Sequence, residues 1–136
     1  MLRNDIEIKR KKSDMKSYTD LEQSKKLAEF LPIESADMYW DYDFQGQEYK
    51  YYPMVMDDQF DDVCIPCWSL AALFNIIPKR IEDYNVLRID IGENEFAIWY
   101  DEIGYGVNGE LPNIWMKEPV DACVEMILKL KEKNLL

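Results

Sequence analysis

The stretch Cys64-Ile65-Pro66-Cys67-Trp68-Ser69-Leu70-Ala71-Ala72-Leu73-Phe74-Asn75-Ile76-Ile77-Pro78 decides the reading of this chain. It is almost wholly apolar, two prolines fence it, and a C-x-x-C pair stands at its entrance. Proline is tolerated in a first helical turn and stops a helix further on. Length and proline placement therefore predict a buried helix at the centre of the core.

C-terminal to it lies the clearest strand signal. Leu87, Ile89 and Ile91 alternate with Arg88 and Asp90, and Phe96, Ile98 and Tyr100 alternate with Ala97 and Trp99. Gly92-Glu93-Asn94-Glu95 supplies a turn between them, so the period of two predicts an antiparallel hairpin over 86–100. A short third strand is expected near residues 105–107, among Gly104, Gly106 and Gly109, and residues 111–116 read as a loop with apolar anchors. Pro119 opens a last helix at its first position. Val120, Cys123, Val124, Ile127 and Leu130 form its apolar face, with acids early and lysines late to match the macrodipole.

N-terminal to the decisive stretch, Thr19-Asp20-Leu21-Glu22 fits a capping box with Thr19 as the cap. Leu21, Ser24, Ala28 and Leu31 share one face of the helix that follows, and Pro32 ends it. After a turn at Gln45-Gly46-Gln47, Tyr49, Tyr51 and Val55 alternate with Lys50, Tyr52 and Met54 as an edge strand interrupted by Pro53. Residues 1–17 read as a flexible basic arm and residues 18–136 as a single domain. The expected class is α+β: a small, mostly antiparallel sheet (hairpin 86–100 plus one or two short strands) packed against about three helices.

Composition narrows the function. At 48% hydrophobic the chain has enough apolar material to fold, yet no run approaches the roughly 20 residues that span a bilayer. No apolar leader is visible, so a cytoplasmic location is expected. The net charge of −11 is concentrated in residues 18–62 and 81–136, while residues 1–17 are net basic. Such a surface repels nucleic-acid phosphates and anionic lipid and attracts basic protein surfaces. The absence of histidine removes Ser-His and Cys-His catalysis and imidazole zinc sites.

Candidate chemistry is sparse. Cys64 and Cys67 at a helix entrance form a possible dithiol, since a helix N-terminus favours a thiolate; the alternative is a pair of small core residues. With Cys123 they give three thiolates and no fourth zinc ligand, so no metal is expected. Asp57, Asp58, Asp61 and Asp62 lack the glycine and terminal glutamate of a calcium loop and read as a solvated turn. No glycine-rich phosphate loop is present, and no cofactor is expected. Tyr39, Trp40, Tyr42 and Phe44, with Trp99 and Trp115, are the candidate contact surface, because aromatic anchors in a polar rim suit protein interfaces. Burial of the same aromatics in the core is the competing reading, and a small-ligand pocket lined by Trp40, Trp99 and Trp115 is a third.

Four segments carry a resemblance. They are Tyr18-Thr19-Asp20-Leu21-Glu22-Gln23-Ser24-Lys25-Lys26-Leu27-Ala28-Glu29, Glu34-Ser35-Ala36-Asp37-Met38, Pro66-Cys67-Trp68-Ser69-Leu70-Ala71-Ala72-Leu73 and Pro119-Val120-Asp121-Ala122-Cys123-Val124-Glu125-Met126-Ile127-Leu128-Lys129-Leu130. In these the chain resembles small acidic proteins encoded by prophages and mobile elements of gut anaerobic bacteria. That group has no established activity, so the resemblance implies an accessory or anti-defence role and assigns no catalytic residue. The combined expectation is a non-enzymatic domain that binds a protein partner, with a basic surface as the complement to its charge. Direct contact with nucleic acid or membrane is not expected. A thiol protein using Cys64 and Cys67, or a small-ligand-binding domain, is the alternative.

Overall fold

The computed structural model describes residues 15–46, 48–102 and 111–136, without the side chains of residues 44 and 45. Most of the predicted basic arm and the predicted strand near 105–107 lie outside the described residues.

Helix α1 (Leu21–Ala28) is capped by Asp20. The Asp20 carboxylate accepts from the Gln23 N–H at 2.8 Å, and Gln23 Oε1 accepts from the Asp20 N–H at 3.0 Å. The capping box therefore starts one residue later than the sequence predicts. Thr19 is drawn away from capping by Trp68, whose backbone N–H donates to Thr19 Oγ1 at 3.1 Å. Ser24 and Leu27 form the buried face of α1, while Ala28 faces solvent.

A short 3-10 turn (Ile33–Ser35) leads into β1 (Met38–Gln45), which pairs antiparallel with β2 (Glu48–Val55). Gly46 turns the chain between them at φ +67°, a left-handed conformation that favours glycine. Strand β3 (Ile65–Cys67) pairs with the first three residues of β1, giving the order β2-β1-β3. Pro53 on β2 and Pro66 on β3 thus occupy the two edges, where a missing N–H costs no ladder bond.

The decisive stretch is therefore a strand followed by a shorter helix, and the expected continuous helix over it is corrected. The reason lies in Ser69 and Asp37. Ser69 Oγ accepts from the Ala72 N–H at 3.2 Å and caps α2 (Leu70–Ile76). The Asp37 carboxylate in turn accepts from the Ser69 N–H at 2.9 Å and from its hydroxyl. Helix α2 stops at Ile77, which is extended (ψ 122°) because Pro78 follows.

A second sheet holds β4 (Arg80–Ile81), β5 (Asn85–Ile91), β6 (Phe96–Glu102) and β7 (Asn113–Met116), all antiparallel in that order. The predicted hairpin is present as β5 and β6, with Leu87 opposite Tyr100 and Ile91 opposite Phe96. The segment read as a loop over 111–116 contributes β7, whose four residues are too short to show alternation. Helix α3 (Pro119–Glu132) begins with proline at its first turn and buries Val120, Cys123, Val124, Ile127 and Leu130, as expected. It lies against β6, β7 and α2, and the core forms where Trp68 and Leu73 meet α3, Phe96 and Ile98. The architecture is α+β, with the strands divided between two small sheets. No helix among the described residues is long and apolar enough to cross a membrane.

Candidate protein-interaction surface

The cysteine pair does not stand at a helix entrance. Cys64 lies in the bend before β3, Cys67 ends β3, and Ser69 caps α2. Cys64 is buried, and its thiol donates to Asp61 Oδ1 at 3.4 Å; burial and the Asp61 and Asp41 carboxylates push its pKa up. Cys67 is fully buried, donates to the Thr19 carbonyl at 3.4 Å, and is also raised, chiefly by burial. Burial alone lifts Cys123 to about 12, although the nearby Lys79 charge acts the other way. The lowering that a helix N-terminus provides is thus replaced by desolvation and like charge, which disfavour a thiolate. Among the described residues no group of Cys, Asp or Glu is arranged to hold a metal ion.

The first sheet produces a different site. Strand β3 covers β1 only from Met38 to Trp40, so the rest of β1 and β2 continues as a two-stranded ribbon. Opposed residues share a face, which gives the ribbon two contrasting sides. One carries Trp40 opposite Pro53, Tyr42 opposite Tyr51, and the Phe44–Tyr49 position; the other carries Asp41 opposite Tyr52 and Asp43 opposite Lys50.

On the aromatic side the Tyr42 ring lies 5.3 Å from Tyr49 in an edge-on arrangement and 6.0 Å from Tyr51. Trp40 fixes the root: its Nε1–H donates to Ser24 Oγ at 3.1 Å, and its ring meets Tyr18 edge-on at 5.9 Å. Tyr49 remains 63% exposed and Tyr51 41%. Large aromatic rings that stay partly exposed are suitable interface anchors.

Not every predicted contact residue joins this face. Tyr39 is fully buried, packs edge-on against Phe60 at 5.5 Å and donates from its hydroxyl to Asp57 Oδ1 at 2.8 Å. That bond, followed by burial, raises its pKa. Tyr39 thus belongs to the interior. Phe44 holds its place on β1, with its side chain outside the described set. Tyr18, Tyr49 and Tyr51 were absent from the predicted surface. The signal that points to two of them is the i, i+2 spacing of Trp40, Tyr42 and Phe44 matched by Tyr49, Tyr51 and Pro53.

Trp99 and Trp115 lie on the second sheet, opposite Asn113 and Ala97 respectively, on the face turned away from α3. Trp115 is 65% exposed and borders a depression of about 80 Å³ with Asp90, Gly92, Glu95 and Ala97. Trp40 is on the other sheet, and neither it nor Trp99 lines that depression. Compared with family models, curated proteins and solved structures, the chain matches none.

Proposed function

We propose that this chain is a non-enzymatic protein-binding domain whose contact element is the aromatic side of the β1–β2 ribbon. The observation that carries the reading is the continuous face from Trp40 through Tyr42 to the exposed Tyr49 and Tyr51. A two-stranded ribbon that projects from its sheet is marginal alone, and a partner that buries the rings removes apolar surface from water. The net charge of −11 favours a partner with a basic surface and speeds the encounter, while the rings supply affinity. A nucleic-acid-binding protein occupied at its basic site is one such partner. This matches the accessory, inhibitor-like role in a bacterial or phage cytoplasm that the resemblance implies.

The test is affinity capture from host lysate at low and high salt, run in parallel with the doubly substituted Tyr49→Ser, Tyr51→Ser protein. A partner retained by the parent and lost by about tenfold or more with the variant supports the ribbon. A partner held equally by both proteins rejects it.

A further inference from the structure

We propose that the uncovered edge of β5 docks an extended, basic segment of another protein, added as a further strand to the second sheet. This site lies on the opposite sheet from the ribbon and does not depend on it.

The argument begins with hydrogen-bond parity. In the turn, the Gly92 N–H donates to the Glu95 carbonyl at 2.8 Å, so Gly92 faces β6. Residues Asp90 and Arg88, two and four positions back, face β6 as well. Ile91, Ile89 and Leu87 then point their backbone groups the other way. The Leu87 N–H confirms the parity by donating to the Lys79 carbonyl at 2.9 Å. Beyond that bond β4 ends, since it pairs only Arg80 with Val86 and Ile81 with Asn85. Among the described residues no strand pairs with β5 on this side from Arg88 to Ile91. The N–H and C=O groups of Ile89 and Ile91 are therefore left as a strand-addition template.

Side chains define the occupant. Ile89 is 39% exposed and Ile91 76%, so an added strand gains apolar contact on their face. On the other face Arg88 is engaged by Asp101 at 3.6 Å, whereas Asp90 has no ion-pair partner among the described residues. Glu93 and Glu95 add negative charge at the turn beside it. A segment that alternates apolar residues with Lys or Arg fits both faces at once.

A second copy of this chain fits poorly. Antiparallel self-pairing centred on Asp90 places two Asp90 carboxylates opposite each other. Centring on Ile89 brings Ile91 of the second copy to Leu87, whose N–H the Lys79 carbonyl already occupies.

The probe is a blocked Lys-Val-Lys-Val-Lys-Val peptide, with a Glu-Val-Glu-Val-Glu-Val twin and a backbone N-methylated basic version as controls. Amide hydrogen exchange of Ile89 and Ile91 in the full chain is followed by NMR. The basic peptide is expected to slow both amides by about tenfold or more, an effect lost with the N-methylated peptide. The acidic twin is expected to have no effect on the parent and to protect Asp90→Lys. Ile91→Pro removes an outward donor together with the Ile91 side chain, spares the ladder to β6, and is expected to abolish binding; the N-methylated peptide tests the backbone bonds separately, and does so even if that variant does not fold. The Tyr49→Ser, Tyr51→Ser protein is expected to bind the peptide normally. Unchanged exchange at saturating basic peptide overturns the proposal. So does equal protection by both peptides, or protection that appears with protein concentration alone.

Discussion

Thr19 Oγ1 accepts the backbone N–H of Trp68 at 3.1 Å, while the Thr19 N–H donates to the Trp68 carbonyl at 2.9 Å. Both residues are fully buried, and the Thr19 hydroxyl also contacts Ser24 Oγ at 2.7 Å. One threonine thus joins the start of α1 to the junction of β3 and α2. Thr19→Val keeps the shape but leaves the Trp68 N–H without its acceptor in the interior. The expected loss is about 1–3 kcal/mol in urea unfolding, with most of it recovered by Thr19→Ser.

Asp20 caps α1 and also accepts from Lys16 Nζ at 3.0 Å, while the same ammonium reaches Asp121 on α3 at 2.7 Å. Replacing Asp20 by Ala is expected to cost about 1 kcal/mol, measured by thermal or urea unfolding.

The same residues set a pH dependence. Burial would raise the Asp20 pKa, but the Gln23 N–H and the Lys16 ammonium together take it below its ordinary 3.8. A depressed folded value stabilises the protein above pH 3.8, and this is lost as pH falls through the folded value. Lys16 is the converse: burial opposes its charge, the Asp121 and Asp20 carboxylates outweigh burial, and its pKa rises above 10.5. Its contribution is complete below pH 10.5 and is lost as pH climbs through the folded value. Stability measured against pH is expected to fall less steeply on the acid side in Asp20→Asn, and less steeply on the alkaline side in Lys16→Met.

The cysteines make a chemical prediction. All three are free and buried, and all have raised pKa values. A thiol reagent at neutral pH is expected to label the native protein slowly and all three sites promptly in denaturant. Rapid labelling of Cys64 and Cys67 in native protein would restore the dithiol reading.

Helix α3 ends on a Schellman motif. The Leu135 N–H donates to the Leu130 carbonyl at 2.9 Å, the Asn134 N–H donates to Lys131 at 3.1 Å, and Asn134 sits at φ +58°. Asn134→Gly is expected to be neutral or slightly stabilising, and Asn134→Val to cost about 1–2 kcal/mol by the same unfolding assay.

What the residues determined unaided was local and periodic. Alternation through Leu87–Ile91 and Phe96–Tyr100 marked the hairpin, and Pro119 with its spaced apolar residues marked α3, because each pattern is complete within one element. The α+β class followed. The α1 cap was displaced by one position because Trp68, 49 residues away, competes for Thr19. The stretch from Cys64 to Pro78 divides at Ser69 because Asp37 braces the cap and β1 offers Ile65, Pro66 and Cys67 a partner strand. Strand pairing and register decide which aromatics meet, so the sequence nominated Tyr39 and Tyr42 alike. Tertiary structure buried Tyr39 against Phe60 and Asp57, and it set Tyr42 among Tyr49 and Tyr51 on an open face. A period of two says which residues share a side; only packing between elements decides which side is covered.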